Sequence, residues 1–177
     1  MAEAGDAVDF YELRAAYLAS PAFRSSDSHQ LGALQDEMFQ AMHDRDDAKV
    51  FEVAQKAISE LYIDLDAHKA RYQSCEHLRR ADCAKYKAIS LGLLRSVVRG
   101  RDGKTCATAW EVVRVSEEYF VARMLDMTVI GQRLKNDGHV CDALDVVDDH
   151  KVQSTLYFDV GAMLQASELR LRPGRTP

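Results

Sequence analysis

Proline is scarce in these 177 residues, with three, tryptophan occurs once, and glycine is limited to nine. So few chain breakers leave little room for long linkers and favour one compact unit. No apolar run approaches the roughly 20 residues a membrane-spanning helix requires. The first stretch, MAEAGDAVDFYE, is acidic and has no apolar core, so no secretory leader is expected. An excess of positive charge is also missing. The formal net charge is −5, and the densest basic clusters are only Arg79-Arg80 and Arg170 to Arg172. Nucleic acid is therefore not expected as a partner, because binding phosphates needs a concentrated basic surface. The four cysteines, Cys75, Cys83, Cys106 and Cys141, form no CxxC pair. Without an export signal they are expected to be free thiols in a reducing cytoplasm.

What is present is ordinary globular material, 47% hydrophobic and 29% charged. Val8 to Ser20 carries Phe10, Leu13 and Tyr17 on one helical face and stops at Pro21. The polar stretch Arg24 to Ser28 supplies turn and cap chemistry. Leu31, Leu34, Met38, Ala41 and Met42 then recur at helical spacing. Asp44-Arg45-Asp46-Asp47 can cap a third helix striped by Val50, Ala54, Ala57, Ile58 and Leu61. Leu31, Ala41, His43, Ala54 and Ala57 reappear in kind about 34 residues later as Leu65, Cys75, His77, Ala88 and Leu91. That is the length of a tetratricopeptide repeat, although the repeat's glycine and closing proline are missing; a plain antiparallel bundle is the alternative.

The rear half reads differently. Arg101-Asp102-Gly103-Lys104 is a turn signal. Thr108 to Val115 is rich in β-branched and aromatic residues and predicts a strand. Ser116 is placed to cap a following helix, with Glu117 and Glu118 at its positive end. Val140 to Val147 alternates, with Val140, Asp142, Leu144 and Val146 expected toward the core. Asp148 to Lys151 makes a hairpin turn, and Val152 to Val160 returns as a strand. The expected fold class is α+β: tetratricopeptide-like antiparallel helix pairs on an antiparallel sheet of about three strands. The chain is taken as a single domain over 1–177, helical over 8–98, β-containing over 99–165, with a loose tail over 166–177.

Candidate chemistry is sparse. Gly103-Lys104-Thr105 matches the end of a phosphate loop, but Val98 stands where its first glycine belongs and a strand follows where a helix is needed. His68, Cys75, His77 and Cys83 are the densest soft ligands, yet one continuous helix cannot gather them around zinc. Cys106 with His139 or His150 lacks any flanking nucleophile signature. No catalytic residue, metal or cofactor is therefore assigned. An acid run remains, comprising Asp137, Asp142, Asp145, Asp148 and Asp149. With Glu117 and Glu118, the residues Asp142, Asp145, Asp148 and Asp149 are the candidate partner-binding set, an acidic face that would steer a basic partner.

Five motifs stand out: Leu61-Tyr62-Ile63-Asp64 with His68, Gly100 to Lys104, Ala109 to Val113, Glu117-Glu118-Tyr119, and Leu156-Tyr157-Phe158-Asp159. Through them the chain, over roughly Phe10 to Val160, resembles a family of bacterial proteins of unknown function. In that family the turn more usually reads S-G-D-G. The resemblance implies an architecture and transfers no catalytic residue. The functional expectation is a cytoplasmic, non-enzymatic interaction protein, in its most concrete form an immunity protein or antitoxin that blocks a basic toxin or effector. The alternative is an enzyme or small-ligand domain with a site between helices and sheet, lined by residues such as His68, Trp110 and Tyr157.

Overall fold

The computed structural model describes residues 8–20, 28–136 and 138–171. The expected loop over Arg24 to Asp27, the stop at Pro21, the acid Asp137 and the tail from 172 onward lie outside the described residues. The class is α+β, with seven helices among the described residues and a four-stranded mixed sheet. The chain divides into two compact units. One is Ser25–Arg95, and the other joins Met1–Arg24 with Ser96–Pro177.

The first unit is helical. Its elements are α2 (Ser28–His43), α3 (Asp47–Glu60), α4 (Leu65–His77) and most of α5 (Cys83–Val98). The expected cap forms: the Asp46 carboxylate accepts from the Lys49 amide at 3.0 Å. Asp64 does the same for α4, accepting from Ala67 N–H at 2.8 Å, while its second oxygen accepts from Gln35 at 2.7 Å. The stripe Val50, Val53, Ala54, Ala57 and Ile58 is buried between α2 and α4. That apolar burial is what holds helices of this length, which are marginal alone. Arg71 lays its guanidinium over the Tyr86 ring at 4.1 Å and donates to Gln55 at 2.8 Å, tying α4 to α5 and α3.

A disulfide joins Cys75 to Cys83, and a second joins Cys106 to Cys141, so no cysteine is free. The expectation of four free thiols is overturned, and with it the argument from cysteine to a reducing compartment. Spacing concealed the pairs because neither follows a motif: one closes a helix-to-helix turn and the other links a loop to a strand.

The second unit holds α1 (Phe10–Ala19), a 3-10 turn at Cys106–Thr108, β1 (Trp110–Glu111), α6 (Val115–Met124), β2 (Thr128–Asn136), β3 (Val140–Val147), β4 (Gln153–Asp159) and α7 (Gly161–Leu171). The sheet order is β1-β4-β3-β2, with β1 parallel to β4 and the other pairs antiparallel. Strand β3 and the Asp148–Lys151 turn fall where alternation and composition put them. Leu144 and Val146 are fully buried and Asp142 is 8% exposed. Cys141 and Ala143, on the opposite face, are buried as well, because β3 is central and the Cys106 turn covers that side.

Two strand expectations are corrected. Thr108 to Val115 supplies only the two-residue β1. Its ladder ends after Val112 N–H donates to Asp159 C=O at 3.2 Å, since the next amide, on Val113, donates instead to the Glu117 carboxylate at 2.8 Å. Helix α6 therefore begins at Val115, after Arg114, and Ser116 lies inside it and makes no cap. The third antiparallel strand is β2, an edge strand whose burial alternates only weakly and which carries a bulge between Val129 and Gly131. The tail expectation also shifts, because α7 continues to Leu171.

Candidate functional site

The motif-bearing loop Gly100 to Thr108 is a structural plug. Gly103 takes φ +64, donates its N–H to Thr108 C=O and accepts from Tyr157 N–H, both at 2.9 Å. Asp102 accepts from Lys104 N–H at 3.1 Å and from the Thr108 hydroxyl at 2.6 Å, which holds its carboxyl below the usual range, the Thr108 bond first. The Trp110 indole donates to Arg101 C=O at 3.0 Å and packs on Phe158 at 5.7 Å. Every polar group named here is spent inside the fold.

The expected acidic face is not assembled. Glu117 and Glu118 are 2% and 0% exposed, and Asp142 is buried beside them. Helix α6 turns both glutamates inward although they are adjacent: Glu117 meets α1, and Glu118 meets the sheet. Asp145 is paired with Arg133 and accepts from Thr155 at 2.8 Å. Asp148 closes the hairpin by accepting from Val152 N–H at 2.8 Å. Asp149 is exposed, with His150 Nε2 3.5 Å from its carboxylate. The candidate ligand set dissolves too, since Cys75 and Cys83 bind each other and His77 meets Asp47 at 2.9 Å. His68 is wholly buried with Nε2 2.6 Å from Tyr62 C=O, and burial lowers its pKa to about 4. Trp110 and Tyr157, named with His68 as possible pocket lining, are committed to Gly103, Phe158 and Lys135.

Glu118 forms a buried carboxyl pair with Asp142. Gln132 bridges them, donating to Asp142 at 2.7 Å and to Glu118 at 3.4 Å, while Tyr119 O–H donates to Gln132 at 2.7 Å. The other Glu118 oxygen has no partner among the described residues. Burial first, then the charges of Asp142 and Glu117, push its pKa up to about 8.

One cavity of this unit has the shape of a site. A groove of about 320 Å³ lies between α1, the β1 edge and α7. Ala15 and Ala19 form one wall, Ala162 and Ala166 the other, each pair spaced four residues apart on its helix. Leu18, Val112 and Val113 add apolar lining. The polar end is built by α1 on β1. Arg14, 2% exposed, holds Glu117 at 2.6 Å and donates to Glu111 C=O at 2.9 Å, satisfying an outward carbonyl of the edge strand. Tyr11 O–H donates to the Glu111 carboxylate at 3.0 Å, a bond that raises the tyrosine pKa. Arg101 stands between Glu111 and Asp159, at 3.9 and 3.3 Å. Sequence reasoning missed Tyr11, Arg14 and Glu111. Arginine within an apolar helical face was the available signal for Arg14, since such a charge is retained inside only when paired.

Fold and site together define an α+β protein with a short mixed sheet and an alanine-walled groove at the sheet's parallel edge. Over residues 8–168 the chain belongs to the family described as Domain of unknown function (DUF4919). No curated protein and no solved structure matches it.

Proposed function

We propose that this chain is a non-catalytic binding protein whose recognition site is the groove between α1, β1 and α7. The observation that carries the reading is the lining itself: small apolar walls with a polar end where Arg14 is ion-paired with Glu117 and Tyr11 donates to Glu111. Such a mixture of apolar walls and a few convergent polar groups holds and orients a ligand. Its volume is at the small end for ligand sites.

Binding of a neutral apolar dye such as Nile red tests this. The full chain is expected to enhance its fluorescence, and Ala15→Trp or Ala162→Trp, which fill the groove from exposed positions, to abolish the enhancement. Equal enhancement by all three chains would place the dye elsewhere and sink the reading. An immunity protein or antitoxin is one form such a binder takes. The support left for a basic protein partner is the Asp148-Asp149 turn, and lysine at both positions would weaken that partner and flatten its salt dependence.

A further inference from the structure

Resting on the groove as the binding site, we propose that its ligand is an uncharged aliphatic amide. The carbonyl accepts from Nη1 of Arg14, the amide N–H donates to Oε1 of Glu111, and the aliphatic body lies between the alanine walls. The guanidinium is only partly used: Nε and Nη2 of Arg14 bond Glu117 and the Glu111 carbonyl, and Nη1 has no partner among the described residues. Its side chain is 3% exposed and lines the groove, which is where a ligand would meet it. Glu111 is used on one side as well. Oε2 takes the Tyr11 hydroxyl and lies near Arg101, while Oε1 has no partner among the described residues. The polar end thus presents one spare donor edge and one spare acceptor.

Charge selects among head groups. Glu117 neutralises Arg14, and Arg101 faces Glu111, which leaves no surplus positive charge to hold a carboxylate. A carboxylate would also meet Glu111, and an ammonium would leave Nη1 of Arg14 unmatched. A neutral amide answers both groups, its carbonyl to the spare donor and its N–H to the spare acceptor.

The test is calorimetric titration of the full chain at pH 7 with octanamide, octanoate and octylammonium, beside Glu111→Ala and Ala162→Trp. Octanamide is expected to bind at least about tenfold tighter than either ion. Ala162→Trp removes that binding. Glu111→Ala weakens octanamide about tenfold while leaving octanoate unchanged or tighter; a merely loosened groove would weaken all three alike. If an ion binds as well as octanamide, or Glu111→Ala weakens all three alike, while Nile red still depends on the groove, the amide inference is wrong and the groove reading stands. If neither the dye nor any of the three binds, both are wrong.

Discussion

Gly103 lies directly under the indole of Trp110: a Cβ there would sit 2.7 Å from two ring carbons, and its φ is +64. Gly100 shares the positive φ, at +67, but has open space around it. The pair separates two costs of adding one methyl group. Gly100→Ala meets only the backbone cost, about 1 kcal/mol, while Gly103→Ala adds overpacking against Trp110 and is expected to lose about 2–5 kcal/mol. Urea denaturation of the two variants measures the difference. Equal losses would mean that the Trp110 contact does not shape the loop.

How much of this was legible depends on where each element's partners lie. Strand β3 could be read because Leu144 and Val146 face a core with the polar Asp145 between them, and the Asp46 cap because its partner is three residues away. Strand β2 could not, because Ile130 and Leu134 on the sheet edge are exposed, which removes the buried periodicity that marks a strand. The stretch around Val112 and Val113 has strand composition, but a glutamate four residues on captures an amide and starts a helix. The groove was invisible for the same reason. The four-residue spacing of Ala15 with Ala19, and of Ala162 with Ala166, is plain in the sequence, while the meeting of α1 with α7 is a long-range contact that no local pattern encodes.

Arg14 and Glu117 form a buried ion pair that joins α1 to α6 and, through Glu111 C=O and Val113 N–H, to the β1 edge. Removing one partner strands the other charge, so Arg14→Met and Glu117→Gln are each expected to cost about 3–5 kcal/mol. The double variant leaves no orphan charge and keeps an acceptor for Val113. It should cost at least about 2 kcal/mol less than the sum. A double-mutant cycle in urea reads the coupling, and additive losses would deny the pair.

The two units should respond to pH in opposite directions. Glu118 is raised from 4.5 to about 8 by burial, so folding takes up its proton between those values. Its contribution is full below pH 4.5 and is lost as pH rises through 8, with a slope of at most about 1.4 kcal/mol per unit. His68 is lowered from 6.5 to about 4, again by burial first, so its contribution is full above 6.5 and is lost as pH falls through 4. Glu118→Gln should therefore remove the decline between pH 6.5 and 8 and leave the acid limb in place. Hydrogen exchange followed separately in α4 and β3 against pH would register both limbs. An unchanged decline in Glu118→Gln would mean the carboxyl is ionised in the fold.

The disulfides offer a last, independent test of the architecture. Cys106–Cys141 spans 35 positions and Cys75–Cys83 spans 8. A cross-link restricts the unfolded chain more when it closes a longer loop, which gives about 4 kcal/mol for the first and about 2.5 kcal/mol for the second. The longer bond also pins the Gly100–Thr108 plug over the buried face of β3. Cys106→Ala with Cys141→Ala should thus lower stability more than Cys75→Ala with Cys83→Ala, and should raise the exchange of the Gly103 and Tyr157 amides that tie the plug to the sheet. Thermal unfolding with and without reductant checks the order. If the reductant leaves the wild-type melting temperature unchanged, neither bond cross-links the folded chain, and the cysteines revert to the free thiols their spacing suggests.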